Sequence, residues 1–239
     1  MILRLSAGIL VPGIVQATML IAFVTDDSCV IGADGISVGL TGKVGTMCKI
    51  TVARSCIFAA SGLVSESGTN FNFDVDGVVR QICDRPGSLA EFAAEFDSVI
   101  RKPLQRAVTL VETHHPMSYN QMLKGRPVLE LMLVSPTISD VRVIVLSYAY
   151  VAGTVKLQKT VRLPEPSGSN LLVCGEKEAI RSFLNRPPPA AKHMNPVQLV
   201  TELLETSIEA HPNLVGRPLA LLVVDKHGLR WLNHGACPR

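Results

Sequence analysis

Two apolar runs, Met19 to Thr25 and Ser28 to Ala33, are divided by the acidic pair Asp26-Asp27. Short apolar runs bounded by turn residues read as a β-hairpin. Thr46 to Val52 and Ser55 to Ala60 repeat the pattern around Ala53-Arg54, so four short strands precede any helix. Gly62 to Asn72, rich in Ser, Gly and Asn, reads as a loop. Asp74 to Asp84 then has room for one short helix.

After Pro86-Gly87 the period changes. Leu89, Phe92, Phe96, Ile100, Leu104 and Val108 recur on one helical face running towards Glu112. Ser88 with Glu91 three residues later has the spacing of a capping box. Pro103 inside this pattern predicts a kink or a split, because proline removes a backbone donor and crowds the preceding turn. Val128 to Ser135, Val141 to Ala149 and Thr154 to Arg162 read as strands, with Gly153 at the last turn. Leu171 to Cys174 is a short buried strand, and Glu176 to Asn185 a helix that stops at Arg186-Pro187-Pro188-Pro189. Asn195 as cap and Pro196 in the first turn open a helix to about Ala210. Leu219 to Val224 and Leu229 to Leu232 close the chain as a hairpin around Asp225-Lys226-His227-Gly228. Strands, two helices, strands, two helices and two strands fit an α+β fold. The arrangement expected is a four-layer αββα sandwich of two antiparallel sheets flanked by helices. Residues 18–239 read as one domain, behind a leader or signal-like segment at residues 1–17.

Composition narrows the function. The chain has 239 residues, 47% of them hydrophobic and 5% aromatic, so the core must be aliphatic. A net charge of +3 leaves no basic footprint, and nucleic acid is not an expected partner. No window suggests a transmembrane helix, and membrane association is not expected. Cys29, Cys56 and Cys174 sit in apolar runs and read as reduced core residues, although six cysteines also permit disulfides in an exported protein. Neither the cysteines nor His114-His115 has metal-site spacing, and no metal or organic cofactor is indicated. Val15-Gln16-Ala17 has the small-x-small pattern of a signal peptidase site. The first seventeen residues therefore read as a secretory signal, a propeptide, or an upstream extension. The location expected is cytoplasmic, with export as the alternative if the segment is a signal.

One resemblance bears on chemistry. It is carried by Thr18 to Phe23, Val30-Ile31-Gly32-Ala33-Asp34-Gly35, Cys48-Lys49-Ile50 and Ala60-Ser61-Gly62, together with Gly216-Arg217-Pro218, Asp225, Gly228 and Arg230-Trp231-Leu232. These segments resemble a proteasome β subunit and, equally, its simpler bacterial relatives, which are N-terminal-nucleophile (Ntn) hydrolases. Sixteen positions separate Thr18 from Asp34, and fifteen separate Asp34 from Lys49. The resemblance implies a self-processing threonine protease acting on peptide or protein substrates within a homo-oligomer, the family's assembly being a ring. Thr18 would be the nucleophile, freed by cleavage after Ala17, with its own α-amine as general base. A threonine hydroxyl is a poor nucleophile and needs a local base, and the free α-amine of an N-terminal threonine can be that base. Lys49 would lower the proton affinity of the amine, and Asp34 would orient Lys49. A backbone N–H at Ser61 or Gly62 would stabilise the oxyanion.

The sequence also departs from the family. Where members carry Gly-Ser-Gly before the third helix, this chain has Cys174-Gly175-Glu176-Lys177. The stretch before the last strands reads Pro212 to Gly216 and lacks the usual Asp and Ser. Two other functions follow from the same residues: a non-catalytic structural subunit of this fold, and a small-molecule amidohydrolase of the wider Ntn group.

Overall fold

A computed structural model describes residues 14–16, 19–40, 44–68, 71–139, 142–164, 170–185 and 194–238. In chain order the first strands are β1 (Ile14–Gln16), β2 (Met19–Val24), β3 (Ser28–Ala33), β4 (Ile36–Gly39), β5 (Val44–Thr46), β6 (Ile50–Val52), β7 (Ile57–Gly68) and β8 (Phe71–Asp74). Helices α1 (Val75–Cys83) and α2 (Leu89–His114) follow, then the short turns α3 (Pro116–Ser118) and Tyr119–Leu123. Next come β9 (Leu129–Val134), β10 (Val143–Val151), β11 (Thr154–Leu163) and β12 (Leu171–Gly175). The chain ends with α4 (Glu178–Leu184), α5 (Pro196–Ala210), β13 (Ala220–Asp225) and β14 (Gly228–Asn233).

Among the described residues, one sheet has nine strands and the other five. The larger runs β11-β10-β9-β7-β1-β4-β5, with β6 and β8 also on β7, and the smaller runs β12-β2-β3-β13-β14. All of their pairings are antiparallel. Three apolar layers hold the four structural layers together. The first lies between α1, α2 and the larger sheet, and includes Phe92, Phe96, Leu104, Leu131 and Tyr148. The second lies between the sheets, around Leu20, Ala22, Ile31, Met132 and Leu222. The third lies between the smaller sheet and α4 and α5, around Ile21, Ile180, Val200 and Leu204. This is the four-layer αββα sandwich expected from the order of elements. β2 is apolar on both faces for this reason: Leu20, Ala22 and Val24 face the other sheet, while Met19 and Ile21 face the helices.

The capping signals resolve as read. Ser88 and Glu91 form a capping box at α2, and Asn195 and Gln198 form another at α5. Four expectations fail in whole or in part. Eight strands, not four, precede α1 among the described residues, and Thr46 to Val52 is divided between β5 on β4 and β6 on β7, because cross-strand partners rather than long apolar runs make the short strands. Of the kink or split expected at Pro103, the split does not occur: α2 runs unbroken through it, with Ile100 and Leu104 buried on either side. Packing of that stripe offsets the lost backbone bond. Gly62 to Asn72 is not a loop; β7 extends to Gly68 and pairs in turn with β9, β1 and β8. Cross-strand partners override the poor strand propensity of Ser and Gly.

Nor are all the core cysteines reduced. Cys48 is bonded to Cys237 and Cys56 to Cys83, while Cys29 and Cys174 are buried free thiols. Burial pushes the Cys29 thiol up to about 12, which keeps it protonated and unreactive at neutral pH.

Candidate active site

The site is built where β2 begins and β3 ends. Neighbours in one sheet, these strands bring Leu20 opposite Ala33, so the first residue of one lies beside the residue that follows the other. Asp34 is buried there with all its acceptor positions used. Its Oδ1 accepts from the Met19 N–H at 2.8 Å and from the Lys49 ammonium at 2.8 Å. Its Oδ2 accepts from the Ile36 N–H at 3.2 Å and the Gly216 N–H at 3.1 Å. The closing segment is therefore part of the site: Gly216 caps Asp34, and its carbonyl accepts from the Gly35 N–H at 2.9 Å.

Both side chains of the Asp34–Lys49 pair are 0% exposed. Burial pulls the Lys49 ammonium below its ordinary pKa, and the adjacent Asp34 carboxylate opposes the fall. An ion pair that far from water is expensive to form and more expensive to break. The structure thus brings Asp34 and Lys49 together at the amide of Met19, the nitrogen that joins Met19 to residue 18. Thr18 itself, with Ala17, lies outside the described residues.

Ser61 and Gly62 approach from the opposite sheet. Ser61 is buried in β7. Gly62 has φ +96°, and a Cβ there would stand 2.5 Å from the Val128 carbonyl oxygen. Only glycine fits this bend. A Gly62→Ala chain is expected to lose about 1–3 kcal/mol, read as a fall in unfolding midpoint; an unchanged midpoint would show that the bend is unstrained.

Residues 14–16 have a definite place. β1 inserts between β4 and β7 in the larger sheet, with Val15 opposite Val38 on one side and Leu63 on the other, and Gln16 opposite Gly62. The chain therefore leaves the larger sheet at Gln16 and enters the smaller sheet at Met19. Beside Lys49 opens a cavity of about 580 Å³, whose lining includes Met47, Ala60, Val64, Asp74, Asp76 and Cys237.

No family model matches the chain, and no curated protein matches it. Among solved structures it is similar to a mutant of Anbu from Hyphomicrobium sp. strain MC1. The identity is 13%, the likeness spans 90% of this chain and 85% of that one, and the TM-score is 0.48. The αββα assignment stands on the strand pairing and the three apolar layers of the chain itself.

Sequence reasoning missed one charged group at this end of the sandwich. Glu130 lies in β9, within the buried run Leu-Glu-Leu-Met-Leu-Val. Its Oε2 accepts from the Gly175 N–H at 2.7 Å, and its Oε1 from the Lys177 ammonium at 2.7 Å. The signal was present: one carboxylate inside an otherwise apolar strand must have a partner, because burying it alone costs far too much.

Proposed function

We propose that the protein is a self-processing threonine-type hydrolase of peptide or amide bonds, with Thr18 as nucleophile after cleavage of the Ala17–Thr18 bond. The observation that carries this reading is that the chain on both sides of that bond is held by the residues the chemistry requires. On the leader side, Gln16 pairs with Gly62. On the other side, the Met19 N–H is bonded to Asp34, which is bonded to Lys49.

In this reading the leader strand occupies the position that a substrate takes. Once the bond is cut and β1 departs, β4 and β7 are left with an open slot between them. An extended peptide can fill that slot by antiparallel pairing on both sides. A substrate side chain then enters the cavity beside Lys49. The free Thr18 amine, at an ordinary pKa of about 7.7–8.0, takes the hydroxyl proton as Oγ attacks the substrate carbonyl carbon. Lys49 keeps the amine deprotonated, Asp34 holds Lys49 in place, and the backbone N–H of Ser61 or Gly62 meets the oxyanion. The proton then passes to the leaving amine, and water hydrolyses the acyl ester.

Two disulfides support the exported alternative over a cytoplasmic location, since such bonds persist in oxidising compartments. No helix among the described residues is long and apolar enough to cross a membrane. Signal cleavage after Ala17 would itself expose the Thr18 amine, so export and activation would be one event.

The test is intact mass with N-terminal sequencing of the purified chain. The mature protein is expected to begin at Thr18, and a Thr18→Ala chain to stay uncut when produced without an export pathway. A wild-type chain that keeps residues 1–17 in every preparation leaves Thr18 without an amine and sinks the reading.

A further inference from the structure

A row of polar side chains crosses the inner face of the larger sheet. Ser61 stands opposite Glu130, and Glu130 opposite Ser147; all three are buried. Two residues further along the same strands, the register reads Ala59, Met132 and Val145, part of the apolar layer between the sheets. The inner layer therefore turns from apolar to polar at one end, and that end is where Met19 begins β2.

The partners of Glu130 come from the other sheet. Gly175, whose N–H binds Glu130, is the residue opposite Met19 in the β12–β2 ladder. Lys177 follows two residues later and completes the pair, its side chain 34% exposed and that of Glu130 only 6%. In the smaller sheet β2 lies between β12 and β3. The start of β2 is thus flanked by two acid–base pairs, Asp34–Lys49 from the β3 side and Glu130–Lys177 from the β12 side. A neutral residue would suffice to cap the Gly175 N–H. A carboxylate with its own ammonium partner adds a balanced charge at the place where a proton must be taken up.

We propose that Glu130 and Lys177 form the second charge pair of this site, with Glu130 a positioning residue that fixes Lys177 and sets the proton affinity of the Thr18 amine. This inference rests on the hydrolase reading. Among the described residues, the charged groups tied to the amino end of β2 are Asp34 and Lys49, through the Met19 N–H, and Glu130 and Lys177, through Gly175. Glu176, next to Lys177 in sequence, is paired with Arg126, and that pair carries no net charge. The Cys174 thiol on β12 stays neutral, because burial and the Glu130 carboxylate hold its pKa well above the ordinary value. Removing Glu130 leaves the Lys177 cation unopposed and favours the neutral amine. Removing Lys177 leaves the Glu130 anion unopposed and favours the protonated amine. A pair with no electrostatic coupling to the amine would leave its titration unchanged in both variants.

The experiment expresses the full chain as wild type, Glu130→Gln, Lys177→Met and the double variant, and follows reductive methylation of the Thr18 amine by formaldehyde and cyanoborohydride against pH. The readout is the mass of the N-terminal tryptic peptide of the self-processed chain. The midpoint is expected to fall by about half a pH unit in Glu130→Gln, to rise by about the same in Lys177→Met, and to return close to wild type in the double variant. Lys177→Met strands the buried Glu130 carboxylate, so Lys177→Gln, whose amide can still donate to it, is measured beside it and decides the question if Lys177→Met does not fold. A processed wild type whose folded variants share its midpoint overturns this inference alone. An unprocessed wild type overturns the hydrolase reading and this inference with it.

Discussion

A Lys49→Ala chain is expected to lose hydrolysis by at least about a hundredfold and to be about 3–5 kcal/mol less stable than wild type. Both effects follow from one geometry. The Asp34 and Lys49 side chains are 0% exposed and 2.8 Å apart. Removing the ammonium leaves a carboxylate with three backbone N–H donors and no counter-charge. It also removes the cation that would keep the Thr18 amine unprotonated. The two effects separate experimentally: a rate measured well below the variant's melting temperature reports on the chemistry, and the melting curve reports on the buried charge. Asp34→Asn should show the same pattern in milder form, since the amide keeps an acceptor for some of the donors. A Lys49→Ala chain that hydrolyses peptides at the wild-type rate would remove Lys49 from the mechanism, whatever its stability.

The second large effect is expected from the Cys48–Cys237 bond. It ties the C-terminal segment to the residue next to Lys49 and spans 189 positions of sequence. Cross-linking so long a loop restricts the unfolded chain strongly, and removing such a bond typically costs about 2–5 kcal/mol. Cys237 also lines the cavity beside Lys49. A Cys237→Ser chain is therefore expected to melt earlier and to bind peptide substrates more weakly, seen as a raised KM. Cys56→Ser, which opens a span of only 27 positions away from the Asp34–Lys49 pair, should lower stability with less effect on KM. Equal KM values for Cys237→Ser and wild type would show that the C-terminal segment is a brace and no part of the substrate site.

Much of the fold was legible because it is local. Helix period and capping boxes involve residues three and four apart, and α2 and α5 begin where Ser88 and Asn195 predicted. The β2–β3 and β13–β14 hairpins were readable for the same reason. The course of β7 past Gly62 was not: its partners β1 and β9 are remote in sequence, and the Ser and Gly content of Ser65 to Gly68 hid even the local pairing with β8.

The candidate site divides the same way. The sequence alone supplied Thr18, Asp34, Lys49, Ser61 and Gly62 through the resemblance, and the alternation of strand groups with helix pairs that fits two sheets between helices, but it missed β1, β4, β5 and β8. Only the tertiary structure decided which groups meet. It placed Gly216 on Asp34 across 182 positions, Lys177 on Glu130 across 47, and Cys237 on Cys48 across 189. It also laid β1 between β4 and β7. The reason is physical: propensity and periodicity act over a few residues, whereas a buried charge or a thiol finds its partner only once packing has closed the chain around it.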